Sequence, residues 1–129
     1  MASVLPHPRA LGGSEITAKI LKTWLVDEKK TRAGVIGVDC ALQIVSVQTF
    51  KHSLNGAALR LGLSEAVRAS ASAVVAYCVA EGMNPGFDTQ STERLVTACE
   101  ALNLTLLDVM IFSDRTPRGW LSARQQSLL

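Results

Sequence analysis

Apolar residues recur at intervals of three and four through Ile16, Ile20, Leu21, Trp24 and Leu25, the spacing that lines one face of an α-helix. Ser14 stands just ahead with Glu15 after it, so the pattern predicts an amphipathic helix over residues 14–30 with Ser14 as its N-cap. After Thr31 the period shortens. Residues 33–39 and 42–50 are β-branched, partly alternating runs separated by Asp39, Cys40 and Ala41, which predicts an antiparallel hairpin.

Residues 51–56 hold His52, Ser53, Asn55 and Gly56, a turn composition, and helical spacing returns over residues 57–71 through Leu59, Leu63, Ala66 and Val67. The run 73–79 is almost wholly apolar, as expected of a strand covered on both faces at the centre of a sheet. Gly82, Asn84, Pro85 and Gly86 break the pattern. Asp88 or Thr89 can then cap a helix through Leu95, Val96, Cys99 and Leu102. Residues 104–112 form a further strand and 120–122 a short final one. The order helix, hairpin, helix, strand, helix, strand, edge strand predicts an α/β (α+β) fold, a mixed β-sheet flanked by helices.

The chain has 129 residues, 48% of them apolar, enough for one domain with a core of its own. We expect a flexible segment over residues 1–13 and a single domain over 14–129. The three cysteines, Cys40, Cys78 and Cys99, form no CxxC pair and their odd number argues against a closed disulfide framework, so a reducing, cytoplasmic setting is expected. The first residues lack the basic, apolar and small-residue regions of a signal peptide, and no apolar run is long enough to span a bilayer. Membrane partners are therefore not expected.

The net charge is +2, unevenly spread: residues 1–32 carry six basic and three acidic groups, 33–114 four and eight, and 115–129 three and none. If the two basic ends meet in space, Arg115, Arg118 and Arg124 with Lys19, Lys22, Lys29, Lys30 and Arg32 would form a surface for weak nucleic-acid contact; otherwise they are ordinary solvated positions. A thiol–imidazole pair of Cys40, Cys78 or Cys99 with His52 has no local signature. Residues 82–86 lack the Gly-Lys-Ser/Thr of a phosphate loop. Trp24 and Trp120 read as core or interface anchors, since aromatics make up 5% of the chain and none interleaves with a basic cluster.

Four stretches in this order resemble the JAB/MPN domain of RadC-type proteins, whose fold is related to that of cytidine deaminases. They are Gly34-Val-Ile-Gly-Val-Asp39 leading to Gln48-Thr-Phe50 and Ser53-Leu-Asn55; Ser64-Glu-Ala-Val-Arg68 with Ala71-Ser-Ala-Val-Val-Ala76; Thr92-Glu-Arg-Leu-Val with Leu102-Asn-Leu; and Leu106-Leu-Asp-Val-Met-Ile-Phe112 with Trp120-Leu-Ser122. The resemblance implies a zinc site of His-x-His plus Asp that acidifies a bound water, with an upstream Glu as proton shuttle.

The same resemblance locates what this chain lacks. Where the family reads Ala-His-Asn-His-Pro-Ser-Gly, the chain reads Ala76-Tyr-Cys-Val-Ala-Glu-Gly82, and its two histidines, His7 and His52, lie well upstream. The family Glu falls on Gln48, and the His of its Leu-Leu-Asp-His strand on Val109. Asp88 stands at the spacing of the third ligand but reads more readily as a helix N-cap. The expectation is thus a degenerate pocket of Tyr77, Cys78, Val79 and Asp88, with no catalytic residue and no zinc or other cofactor. Its function would be that of a protein-binding or assembly module, with the DNA-repair or mobile-element association of RadC and self-association as a homodimer. The alternatives are a divergent hydrolase with a rearranged metal site of Cys78, Glu81 and Asp88, and a nucleic-acid-binding accessory protein.

Overall fold

The computed structural model describes residues 11–80 and 86–129. Helix α1 (Ser14–Leu21) runs without a break into a π-helical segment, Lys22–Glu28. Strands β1 (Ala33–Val38) and β2 (Ile44–Phe50), helix α2 (Gly56–Arg68), strand β3 (Ala73–Val79), helix α3 (Thr89–Ala101), and strands β4 (Thr105–Phe112) and β5 (Trp120–Ser122) follow. The five strands form one mixed sheet in the order β2-β1-β3-β4-β5. β3 and β4 are parallel, and the other neighbours are antiparallel. No helix of the described residues is long and apolar enough to cross a membrane.

β3 is the central strand because its side chains are apolar on both faces, and each face has a cover. Val75 and Tyr77 join Ile36, Val38, Met110 and Phe112 beneath Leu21, Trp24 and Leu25 of the first helical element. Val74 and Ala76 join Val35 beneath Leu63 and Ala66 of α2 and Leu95 and Cys99 of α3. Each such buried aliphatic or aromatic side chain contributes about 1.5–3 kcal/mol. α2 approaches β1 closely: a Cβ on Gly62 would lie 2.5 Å from a methyl of Val35, so only glycine fits.

The N-terminal helix departs from its expected form twice. Its cap is Gly13, not Ser14, and no side chain caps it. Ser14 is the first helical residue, and its hydroxyl instead donates to Asp108 at 3.2 Å. From Lys22 the helix widens, which brings Lys22 and Asp27, five residues apart, into a 2.7 Å ion pair that α-helical spacing would keep apart. Leu11, within the segment expected to be flexible, is buried, and its N–H donates to the Leu42 carbonyl at 2.8 Å. Residues 1–10 lie outside the described residues.

Candidate functional site

β3 and β4 end side by side, and beyond their carboxyl ends lies a cleft of about 530 Å3. Such ends are where open α/β sheets commonly place ligands. Among the described residues Lys22 and Val26 of the π-helical segment, Val79 and Ala80 at the end of β3, Phe112, Ser113 and Asp114 at the end of β4, and Gly119 line it. The floor is apolar, and the polar groups are one amine, one carboxyl and one hydroxyl. Lys22 is already paired with Asp27, and the Ser113 hydroxyl accepts the Arg115 N–H at 3.1 Å. Among the described residues the cleft's lining side chains offer one cation, one anion and one hydroxyl around apolar surface.

Tyr77 and Val79, where the resemblance would place two histidines, point to the same face of β3, toward the N-terminal helix. Val79 borders the cleft. Tyr77 does not open into it: its side chain is fully buried, edge-on to Phe112 with ring centroids 5.9 Å apart. The Thr31 hydroxyl donates to the Leu25 carbonyl at 2.8 Å, which leaves its oxygen to accept the Tyr77 O–H at 2.5 Å. Burial pushes the phenol up to about 12. Gly34 of β1, directly across from Tyr77, makes room for the ring, which any Cβ there would overlap.

The other positions that the resemblance singles out, Gln48 and Val109, do not gather around Tyr77. Gln48 pairs with Val35, and Val35 with Ala76, which pairs in turn with Val109. This row lies on the α2–α3 face of the sheet, since Val35 packs on Leu63 and Ala66. Gln48 and Val109 are therefore on the opposite face from Tyr77 and Val79. The β2 residue in the Tyr77 row is Thr49, reached through Gly34. A register read from one strand at a time does not reveal this parity.

Cys78 also faces away from the cleft. It packs on Ala33, Phe50 and Ala58, and burial raises its thiol. Cys99 is buried among α3 contacts and its thiol is pushed up to about 11 by burial. Both shifts run opposite to those of an activated thiolate. Cys40 is exposed, its sulfur 3.2 Å from the Ser72 hydroxyl. His52 is exposed, with Nδ1 2.9 Å from the Ser53 carbonyl and its ring beside Phe50.

Asp88 is the N-cap of α3. Its carboxylate accepts the Ser91 hydroxyl at 2.7 Å and the Gln90 N–H at 3.1 Å, and these bonds hold it below the usual carboxylate range, helped by the charge of Arg94. Glu81 and Met83 lie outside the described residues. Among the described residues no three His, Cys, Asp or Glu side chains stand together as a metal-ligand group.

Near the chain end the Arg118 side chain has a local partner, while Arg115 and Arg124 bond through their backbone N–H groups. Arg118 lies 4.1 Å from the Trp120 ring centroid and donates to the Gln125 side chain at 2.7 Å. The Arg124 N–H donates to Asp108 at 3.0 Å. Trp120 is buried, as an anchor should be.

Sequence reasoning passed over Asp108 as a functional centre of the fold. Only 4% exposed, its carboxylate accepts hydroxyls from Ser14 and Ser122 on one oxygen and N–H groups from Val109 and Arg124 on the other. It joins the start of α1 to the last strand and the turn after it. The available signal was an acid inside an apolar strand, which must find donors if it is buried. No protein-family model matches the chain, and no curated protein matches it.

Proposed function

We propose that the chain is a catalytically inactive RadC-like JAB/MPN domain, related in fold to the cytidine deaminases, that serves in the cytoplasm as a protein-binding or assembly module. The observation that carries this reading is Tyr77. At the position where the resemblance places a zinc-binding histidine stands a phenol sealed in the core, its hydroxyl tied to Thr31 and its ring against Phe112. Replacement of a ligand by a core-filling side chain supports loss of the metal function, because the backbone there now serves packing. The position of Cys78 and the capping role of Asp88 argue in the same direction, since neither aims at the cleft beside Val79. Self-association and the repair or mobile-element association of RadC belong to the same reading.

The test is a thermal melt of the purified chain with added zinc and with chelator. A ligand that binds only the native state raises the melting temperature. Equal transitions are expected; a rise with zinc, reversed by chelator, would overturn the reading.

One observation favours a second reading, a nucleic-acid-binding accessory protein. The Ser14 hydroxyl and the Arg124 backbone N–H both bond Asp108, so the start of α1 and the turn after β5 are neighbours. That reading requires duplex DNA affinity that falls steeply with salt and is weakened by charge removal at Arg115, Arg118 and Arg124.

A further inference from the structure

α2 and α3 lie on the same face of the sheet, each leading into one of the parallel strands β3 and β4, so they run side by side in one direction. Between them is an open groove of about 530 Å3. Leu54, Leu59, Leu63, Leu95 and Ala98 form its apolar lining, and Arg60 and Arg94, both exposed, stand along it. Among the described residues the lining contains two cations, Arg60 and Arg94, and no acid. Beyond it Val67 continues the α2 stripe one turn past Leu63, and Leu102 continues the α3 stripe one turn past Ala98; they are 45% and 44% exposed. The apolar track thus follows both 13-residue helices, about 20 Å of length.

We infer that this groove is the docking site for a partner's amphipathic helix whose apolar stripe is flanked by acidic residues. An apolar channel of this length takes a helix presenting residues at i, i+3 or i+4 and i+7. Charge complementarity fixes the sign of the flanks: carboxylates reach Arg60 and Arg94, while lysines there would meet like charge. Arg60 has no hydrogen-bond or ion-pair partner among the described residues. Arg94 senses Asp88, which is already engaged by Ser91 and Gln90. The inference rests on the binding-module reading and adds the surface and the partner's chemistry. The groove lies on the opposite face of the sheet from the cleft beside Val79.

The test is selection from a displayed library of helical peptides against the full chain, followed by binding of the enriched peptides to the chain and to the double variant Arg60→Glu/Arg94→Glu. Both arginines are exposed, so the variant should fold, which its melting temperature checks. Expected are peptides with the apolar spacing above and Glu or Asp flanks, amide shift changes at Leu59, Leu63, Leu95 and Ala98, and affinity at least about tenfold weaker for the double variant at low salt. Enriched peptides with basic or uncharged flanks, or insensitive to the charge reversal, would overturn the inference. So would duplex DNA that binds through the same arginines. If enriched peptides map to the cleft lined by Val79, the binding-module reading stands and the groove falls. If no peptide is enriched, both fall.

Discussion

Tyr77 and Thr31, 46 residues apart, share a buried hydroxyl pair that closes the core where the N-terminal helix ends and β1 begins. Thr31 is held in turn by the Leu25 carbonyl, so the phenol is fixed to the helix it packs under. The pair turns a position at the end of a central strand, next to a cleft, into part of the core.

Tyr77 is the sole tyrosine, so tyrosinate absorbance reports on it alone. Its folded pKa, about 12, lies above the value of 10.0 that it has when exposed. A raised pKa means that the neutral form is favoured by folding. This contribution is fully present below pH 10 and is lost as the pH rises through about 12. Alkaline titration of the folded chain should show tyrosinate appearing only toward pH 12, with stability falling over the same window. Tyrosinate at the exposed value in a chain still folded by circular dichroism would contradict the burial.

Asp108 should be the costliest polar residue to lose. Truncation to Ala removes the acceptor of two hydroxyls and two backbone N–H groups; the Ser14 and Ser122 hydroxyls, 3.3 Å apart, can still bond each other, while each N–H left unsatisfied costs about 1–3 kcal/mol. We expect Asp108→Ala to lower stability by at least about 3 kcal/mol in denaturant unfolding. Ser14→Ala, which removes one of the four donors, should cost about 1 kcal/mol. Equal effects for the two variants would show that the carboxylate is not the centre of the network.

Much of the fold is legible in the residues, and the failures have physical causes. The strands at 73–79 and 120–122 follow from an unbroken apolar run and from a terminal Trp-Leu-Ser after turn residues. The change from α- to π-helix at Lys22 leaves no mark in the pattern, because Trp24 and Leu25 remain buried in either form. Ser14 reads as a cap because local chemistry favours it, and its actual partner is 94 residues away. The candidate site was harder to read. Which residues share a pocket depends on the pairing parity of three strands, and this separates Gln48 from Tyr77 although both belong to one neighbourhood.

Asp88 offers a local test of role. As the α3 cap it satisfies the Gln90 N–H, and its loss to Ala should lower the melting temperature. Asp88→Ser, which also caps, should recover most of that loss in thermal or chemical unfolding. A large effect of Asp88→Ser on stability would point to a duty other than capping.

If the metal site is lost, the full chain, expressed in zinc-replete medium, purified and measured by elemental mass spectrometry, should hold well under one zinc per chain, unchanged in Cys78→Ser and Asp88→Asn. Stoichiometric zinc that either substitution removes would show a working metal site.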